Sequence, residues 1–184
     1  MALGAPAELL ADCQQAAADE VEHARLAYGI ASAFAGEPIG PGPLSLDGVS
    51  LDADPATVLR EVVIEGCIGE TIGAVEAAEA ARTVADAGIA AACARIAEDE
   101  LRHAALGWRT ARWLLACHPE LASVASEAFT DGIRHHTHGI EPSTGDIRCW
   151  GVAIRPDLRR AAIAEVIAPL AERMLRDADP EERG

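Results

Sequence analysis

The sequence contains no lysine, and all fifteen of its basic residues are arginine. Without lysine, the chain can neither form a Schiff base with a substrate nor build a Walker-type phosphate loop. Aromatic residues are also scarce, at 3%, whereas half of the residues are hydrophobic and alanine is abundant. This composition favours closely packed helices with small residues at their contacts over a β-sandwich. We therefore predict an all-α fold.

Positive charge is scarce relative to negative charge, and the formal net charge at pH 7 is -15. This excess argues against a nucleic acid or an anionic membrane as partner. No signal peptide and no apolar run long enough to span a bilayer are evident. The five cysteines never form a C-x-x-C pair, so we expect neither a disulfide framework nor a thiolate zinc site. These absences predict a soluble cytoplasmic protein that binds a small molecule or a cation.

Helix breakers divide the chain into the helices of one predicted domain, residues 1–184, with a core at 6–118 and a C-terminal helical extension at 120–178. The long segment between the first two helices, rich in glycine and proline, is expected to cross the length of the molecule. The predicted helices are Pro6 to Ala35, Pro55 to Ala85 with Asp54 as N-cap, Ile89 to Cys117 stopped by His118-Pro119, Glu120 to Ile133, and Pro156 to Arg176 with a kink at Pro169.

One short motif occurs twice, at residues 19–24 and 99–104, with Asp-Glu at its start and His-Ala at its end. Each copy places Glu-x-x-His in the middle of a helix, so both side chains share one face. A carboxylate and an imidazole stacked in this way can ligate one metal ion. The alternative is a pair of exposed Glu/His contacts, each worth about 0.2–0.5 kcal/mol. The candidate ligands are Glu20, His23, Glu100 and His103.

Glu70 is the candidate for a further ligand. If the turn at Asp86-Gly88 folds two helices antiparallel, Glu70 and His103 lie at nearly the same level, because they are almost equally far from the turn. The small residue Gly66 lies one turn from Glu70 and suits a buried contact. Glu65, by contrast, belongs to a stripe that we expect to be solvated. The register therefore favours Glu70 over Glu65.

Together these residues resemble the half-site pattern of the ferritin-like di-iron carboxylate proteins, such as rubrerythrins and bacterioferritins. The segment from Asp12 to Trp113 is most similar to bacterial ferritin-like domain proteins. This resemblance implies a ferritin-like helical bundle with a long crossover loop at Gly36 to Pro55, to which the predicted C-terminal helices are extra. It also implies a site for two iron ions, for which manganese could substitute. The ligands it implies are Glu20, His23, Glu70, Glu100 and His103, with Glu20 and Glu100 as bridges.

The function implied by the resemblance is that of an oxidoreductase that activates oxygen or peroxide at a non-haem di-iron centre, acting on an unknown small molecule. A ferroxidase that handles iron is a second hypothesis. A helical scaffold or binding protein with a degenerate metal site is a third. A homodimer is among the expected assemblies.

The family pattern also needs a ligand on a helix before Gly4, where this sequence has none. We expect a truncated or misplaced start as the first explanation and a degenerate site as the second. The third is replacement, by Glu165 and Glu172 of the last helix or by a partner subunit.

Three other features receive structural interpretations. The three histidines within Arg134–Gly139 are interpreted as a solvated loop. Tyr28 and Trp108 each follow a motif histidine by five residues, which turns them away from the metal face and predicts a packing role. Glu76 and Glu79 are expected to form an exposed acidic face.

Overall fold

The structure, a computed structural model, describes residues 3–43, 45, 54–138 and 155–178. Every regular element in these residues is helical, which confirms the all-α prediction. None of the helices in the described ranges is both long and apolar enough to cross a membrane. The chain divides into two compact units, Met1–Ala53 and Asp54–Gly184. The predicted crossover segment lies partly outside the described residues, so its role stays a prediction.

The first unit contains one long helix, α1, which runs from Ala7 to Ala35 as predicted. Pro6 precedes its first turn, where a missing backbone N–H costs nothing. The helix ends at Gly36, which adopts a left-handed conformation with φ of 71° and donates its N–H to the Ser32 carbonyl. A left-handed cap of this kind favours glycine, because it has no Cβ to clash with the backbone.

The described residues of the second unit, 54–138 and 155–178, form six α-helices, two π-helical segments and one short 3₁₀ turn. Their bounds are α2 (Pro55–Glu61), the first π segment (Val62–Gly69), α3 (Glu70–Thr83), α4 (Ala87–Cys117), the 3₁₀ turn (Pro119–Leu121), α5 (Ala122–Thr137), α6 (Pro156–Ala162), the second π segment (Ile163–Ile167) and α7 (Ala168–Ala178).

Two aspartates cap helices where the sequence predicts helix starts. Asp54 accepts a hydrogen bond from the Thr57 backbone N–H at 2.9 Å, and this bond lowers the pKa of the Asp54 carboxyl. Asp86 accepts from the backbone N–H groups of Gly88 and Ile89 at 2.8 and 2.9 Å. Each cap satisfies amide groups that would otherwise lack a partner in the first helical turn. The Asp86 cap fixes the tight turn between α3 and α4.

The sequence predicts one uninterrupted helix after Asp54, and this prediction is wrong in detail, because π-helical backbone occupies Val62–Gly69. The segment combines β-branched residues with Gly66 and Gly69, which lowers its preference for regular α-helix. π-helical backbone inserts an extra residue into a turn and is frequent at functional sites. The segment ends directly before Glu70, so this candidate ligand follows the irregular backbone.

Helix α3 packs chiefly against α4, and α5 packs against the first π segment. Trp108 of α4 stacks on Phe129 of α5 with ring centroids 5.5 Å apart, which confirms the packing interpretation of Trp108. These contacts enclose a small apolar core. Its fully buried larger side chains are Leu59, Val63, Cys67, Ile68, Leu114 and Ile167.

The expectation of an exposed acidic face at Glu76 and Glu79 is wrong. Arg159 of α6 makes two hydrogen bonds to the Glu76 carboxylate, at 2.5 and 2.9 Å, and both side chains are less than 20% exposed. Arg155 contacts Glu79 at 3.2 Å, one turn away. The two pairs align α6 antiparallel to α3. No local sequence pattern predicts this contact, because the partners are some eighty residues apart.

The three-histidine segment is not a loop either, because α5 continues through its first two histidines to Thr137. His135 and His136 occupy the last turn, with ring centroids 5.1 Å apart. Nε2 of His136 is buried and has no hydrogen-bond partner among the described residues. Burial lowers the pKa of His136, and the neighbouring charge of His135 lowers it further. His138, directly after Thr137, caps the helix.

Candidate metal centre

Three of the predicted ligands come together on α3 and α4. Glu70 is the first residue of α3, and Glu100 and His103 lie one turn apart in the middle of α4. Each offers a donor atom, and these atoms all lie within 4.8 Å of one another. The grouping agrees with the register expected from the Asp86-Gly88 turn. Metal binding by the group stays a prediction.

The cluster is largely shielded from solvent. His103 is 6% exposed, and the side chain of Glu100 is 14% exposed. Nδ1 of His103 lies 3.2 Å from a Glu100 carboxylate oxygen, which holds the two potential ligands on one face of α4. Glu70 is half-buried, whereas the rejected alternative Glu65 is exposed, as the sequence predicts. Taking carboxylates out of water is costly unless they are paired or bind a cation.

Glycines let the two helices approach closely beside this cluster. A Cβ atom at Gly66 would lie 3.2 Å from the Gly107 Cα, so the two backbones are in contact there. A Cβ atom at Gly73 would lie 3.9 Å from Cγ of Glu100. Gly66, which the sequence predicts to suit a buried contact, therefore does form the helix contact.

Helix α1 carries the other copy of the motif. Nδ1 of His23 lies 3.3 Å from a Glu20 carboxylate oxygen, nearly the same relationship as in the copy on α4. The His23 side chain is 8% exposed, and that of Glu20 is 55% exposed. The two Glu-x-x-His motifs thus share a local geometry, and the histidine is the buried member of each pair.

Sequence reasoning missed the buried aspartate that precedes the glutamate in each motif. Asp19 is 5% exposed and Asp99 is 4% exposed, although both belong to polar stretches of sequence. Asp19 accepts a hydrogen bond from the Gln15 side chain at 2.9 Å. Asp99 contacts Arg102 at 2.6 Å and Arg95 at 3.5 Å. The sequence signal that could have identified these aspartates is that both occupy the first position of the repeated motif.

The proposed substitutes for a missing ligand do not join the cluster. Glu165 and Glu172 are both exposed, and Glu172 contacts Arg176 at 3.8 Å. Within the part of the chain that the structure describes, neither belongs to a group of three or more potential ligands. Replacement from the last helix therefore has no structural support.

The donor set of the cluster suits a divalent transition metal. Carboxylate and imidazole ligands bind iron, manganese and zinc, whereas a thiolate-rich site would favour softer metals. Bonds of about 2.1 Å place two ligands of one ion at most about 4.2 Å apart. The 4.8 Å spacing is therefore within reach of small side-chain rotations. Glu70, Glu100 and His103 fit one metal ion in chemistry and in spacing.

Comparisons of the chain with models of protein families, with curated proteins and with solved structures found no match.

Proposed function

We propose that this chain is a ferritin-like metal protein with a non-haem di-iron site. The observation that carries the proposal is the convergence of donor atoms from Glu70, Glu100 and His103 within 4.8 Å. Two helices related by a tight turn supply them, as the Glu plus Glu-x-x-His half-site of ferritin-like proteins requires. In this proposal the three side chains hold one ion.

The second part of the proposal concerns Glu20 and His23, and it rests on the repeated motif and the resemblance. Their local geometry matches that of Glu100 and His103, with histidine and carboxylate at 3.3 and 3.2 Å. By the resemblance, Glu20 and Glu100 would bridge two ions. The buried aspartates of the two motifs would act as positioning residues that hold the ligands in place.

The chemistry proposed is oxygen or peroxide activation, which bound iron would supply at coordination positions that the protein leaves open. The chain's own contribution is to hold the ligands at fixed separation and to exclude water. To coordinate a metal ion, His103 must be neutral at the coordinating nitrogen. This arrangement supports an oxidoreductase, and its substrate would be a small molecule.

Metal analysis of protein purified without chelator and then loaded anaerobically with Fe²⁺ tests the proposal. We expect about two iron ions per chain, with the content falling to about half or less in Glu100→Ala and His103→Ala. Glu98→Ala is the matched control, because Glu98 is exposed on the same helix. A wild type that binds no iron or manganese would contradict the proposal and favour a helical scaffold.

Glu20→Ala and His23→Ala separate the two parts. If both motifs bind metal, these variants lose iron as the α4 variants do. If only the cluster on α3 and α4 binds, they keep one ion per chain. A particle far larger than a dimer in size-exclusion chromatography, together with Fe²⁺ oxidation, would favour the ferroxidase alternative.

A further inference from the structure

A cavity of about 590 Å³ lies within the second unit, between α3, α4 and α7. Its volume is in the range of sites that bind small molecules. Most of its wall is apolar, and three of the wall residues are hydrophobic side chains with large exposed fractions: Leu101 at 66%, Leu170 at 41% and Val166 at 39%. Trp108 adds an aromatic surface. An exposed apolar surface of this kind often marks a site that binds a ligand or a partner.

Polar side chains gather towards one end of the cavity. Arg112 and Asp177 line both the main cavity and a smaller one beside it. Arg173 lines the main cavity, and its neighbour Met174 lines both. Neither Arg112 nor Arg173 forms an ion pair with another described residue, in contrast to Arg155 and Arg159. Two cationic groups with one carboxylate leave an excess of positive charge in a protein whose net charge is -15.

The cavity is separate from the candidate metal ligands. Glu70, Glu100 and His103 do not line it, but the residue after each of them does: Thr71, Leu101 and Ala104. One residue corresponds to about 100° around a helix. The cavity therefore faces a different side of α3 and α4 from the cluster, and occupancy of the cavity does not require a bound metal.

We propose that this cavity binds a small amphipathic carboxylate, with an unbranched apolar chain along the wall of Leu101, Trp108, Val166 and Leu170 and a carboxylate head beside Arg112 and Arg173. The chain would remove the exposed apolar side chains from water, which is the main driving force for such binding. Arginine is the side chain best suited to a carboxylate, because its planar fork can donate two parallel hydrogen bonds.

Isothermal titration calorimetry with decanoate tests this inference, with decyltrimethylammonium as the chain-matched cation. We expect saturable binding of one decanoate per chain. The cation should bind more weakly, although the net negative charge of the protein would by itself favour it. The affinity for decanoate should be unchanged after treatment with chelator. A wild-type protein that binds decanoate but no iron would therefore overturn the proposed metal function and leave this inference standing.

Two variants locate the site. Arg112→Gln/Arg173→Gln should weaken decanoate binding roughly threefold to tenfold, as expected for two exposed charge pairs, and leave the cation unaffected or slightly tighter. Arg82→Gln, at a side chain that is 79% exposed outside the cavity, is the matched control. Ala105→Phe would fill the cavity from an exposed position on its wall and abolish binding of both molecules.

Three results would overturn the inference. The first is no saturable binding of decanoate to folded protein. The second is equal binding by Ala105→Phe, which would indicate adsorption elsewhere on the surface. The third is a stable wild-type dimer that does not bind decanoate and that Ala105→Phe dissociates. The cavity would then be part of a contact between two copies of the chain.

Discussion

Gly107 of α4 lies directly against the backbone of Gly66 in the first π segment. A Cβ atom at Gly107 would lie 2.5 Å from the Gly66 carbonyl carbon and 2.6 Å from its oxygen. Real Cβ atoms do not approach backbone atoms this closely, so a side chain there must separate the helices. This contact sets the distance between the two helix backbones, and at this distance the side chains of Glu70, Glu100 and His103 come together.

We therefore expect Gly107→Ala to lower the free energy of unfolding of the second unit by about 2–4 kcal/mol, because overpacking against backbone cannot relax by rotation of a side chain. Urea denaturation followed by circular dichroism measures this change. Helix propensity acts in the opposite direction, since alanine is favoured over glycine by about 1 kcal/mol in a helix interior.

Two other glycines provide controls for Gly107→Ala. Gly29→Ala meets nothing within 4 Å and should be neutral or stabilise α1 by about 0.5–1 kcal/mol. Gly132→Ala meets Cδ1 of Ile68 at 2.5 Å, an atom at the end of a flexible side chain, and should have an intermediate effect. Equal stability of Gly107→Ala and Gly29→Ala would contradict the close backbone contact.

The Glu76–Arg159 pair yields a second prediction. Both side chains are mostly buried, so Glu76→Gln leaves a guanidinium without its charge partner. We expect a loss of about 1–3 kcal/mol in the free energy of unfolding, less than for a fully buried pair because solvent screens part of the interaction. Thermal unfolding of Glu76→Met, of Arg159→Met and of the double variant Glu76→Met/Arg159→Met measures the coupling between the two side chains.

The double variant should be closer to wild type than either single variant, because replacing both charges by apolar groups removes the desolvation cost along with the attraction. Arg82→Gln is the exposed control, and its effect should stay below about 0.5 kcal/mol. If Glu76→Gln is as mild as Arg82→Gln, the pair does not hold α6 against α3.

Local signals in the sequence determine much of this fold. Asp54, Asp86 and Gly36 mark helix ends, and each was predictable because a cap depends on neighbouring residues alone. The level of Glu70 relative to His103 follows from helical rise once the turn is known. The convergence of these two side chains could therefore be predicted without a template.

Features that depend on distant partners could not be predicted in this way. The ion pair between Glu76 and Arg159 joins residues that no local pattern connects, and the burial of Asp99 reflects packing around a residue whose neighbours are polar. The π-helical backbone before Glu70 is a compromise between local preference and tertiary packing. Hydrophobic periodicity alone predicts none of these three features: the ion pair, the burial of Asp99 and the π-helical backbone.

The cysteines supply a third prediction, on chemical reactivity. Burial raises the pKa of the Cys67 thiol far above its usual range and also raises that of Cys93. Cys13 and Cys117 are exposed. Because the thiolate is the reactive form, iodoacetamide at pH 8 should modify Cys13 and Cys117 before Cys67 and Cys93, as peptide mass spectrometry would show. Cys67 should react only after unfolding in guanidinium chloride, and labelling of native Cys67 as fast as Cys117 would contradict its burial.

His136 supplies a prediction on pH dependence. Its pKa is lowered first by burial and then by the charge of His135, while Glu65 opposes the shift. As pH falls below about 6.5, the unfolded chain binds a proton at this histidine before the folded chain does, so the free energy of unfolding decreases. The loss continues until pH reaches the lower pKa of the folded state and is then complete. Urea midpoints between pH 7.5 and 5.5 should therefore fall less steeply in His136→Gln than in wild type. His138→Gln, at an exposed residue that caps the same helix, should follow the wild-type slope, and identical slopes for all three proteins would show that His136 titrates alike in both states.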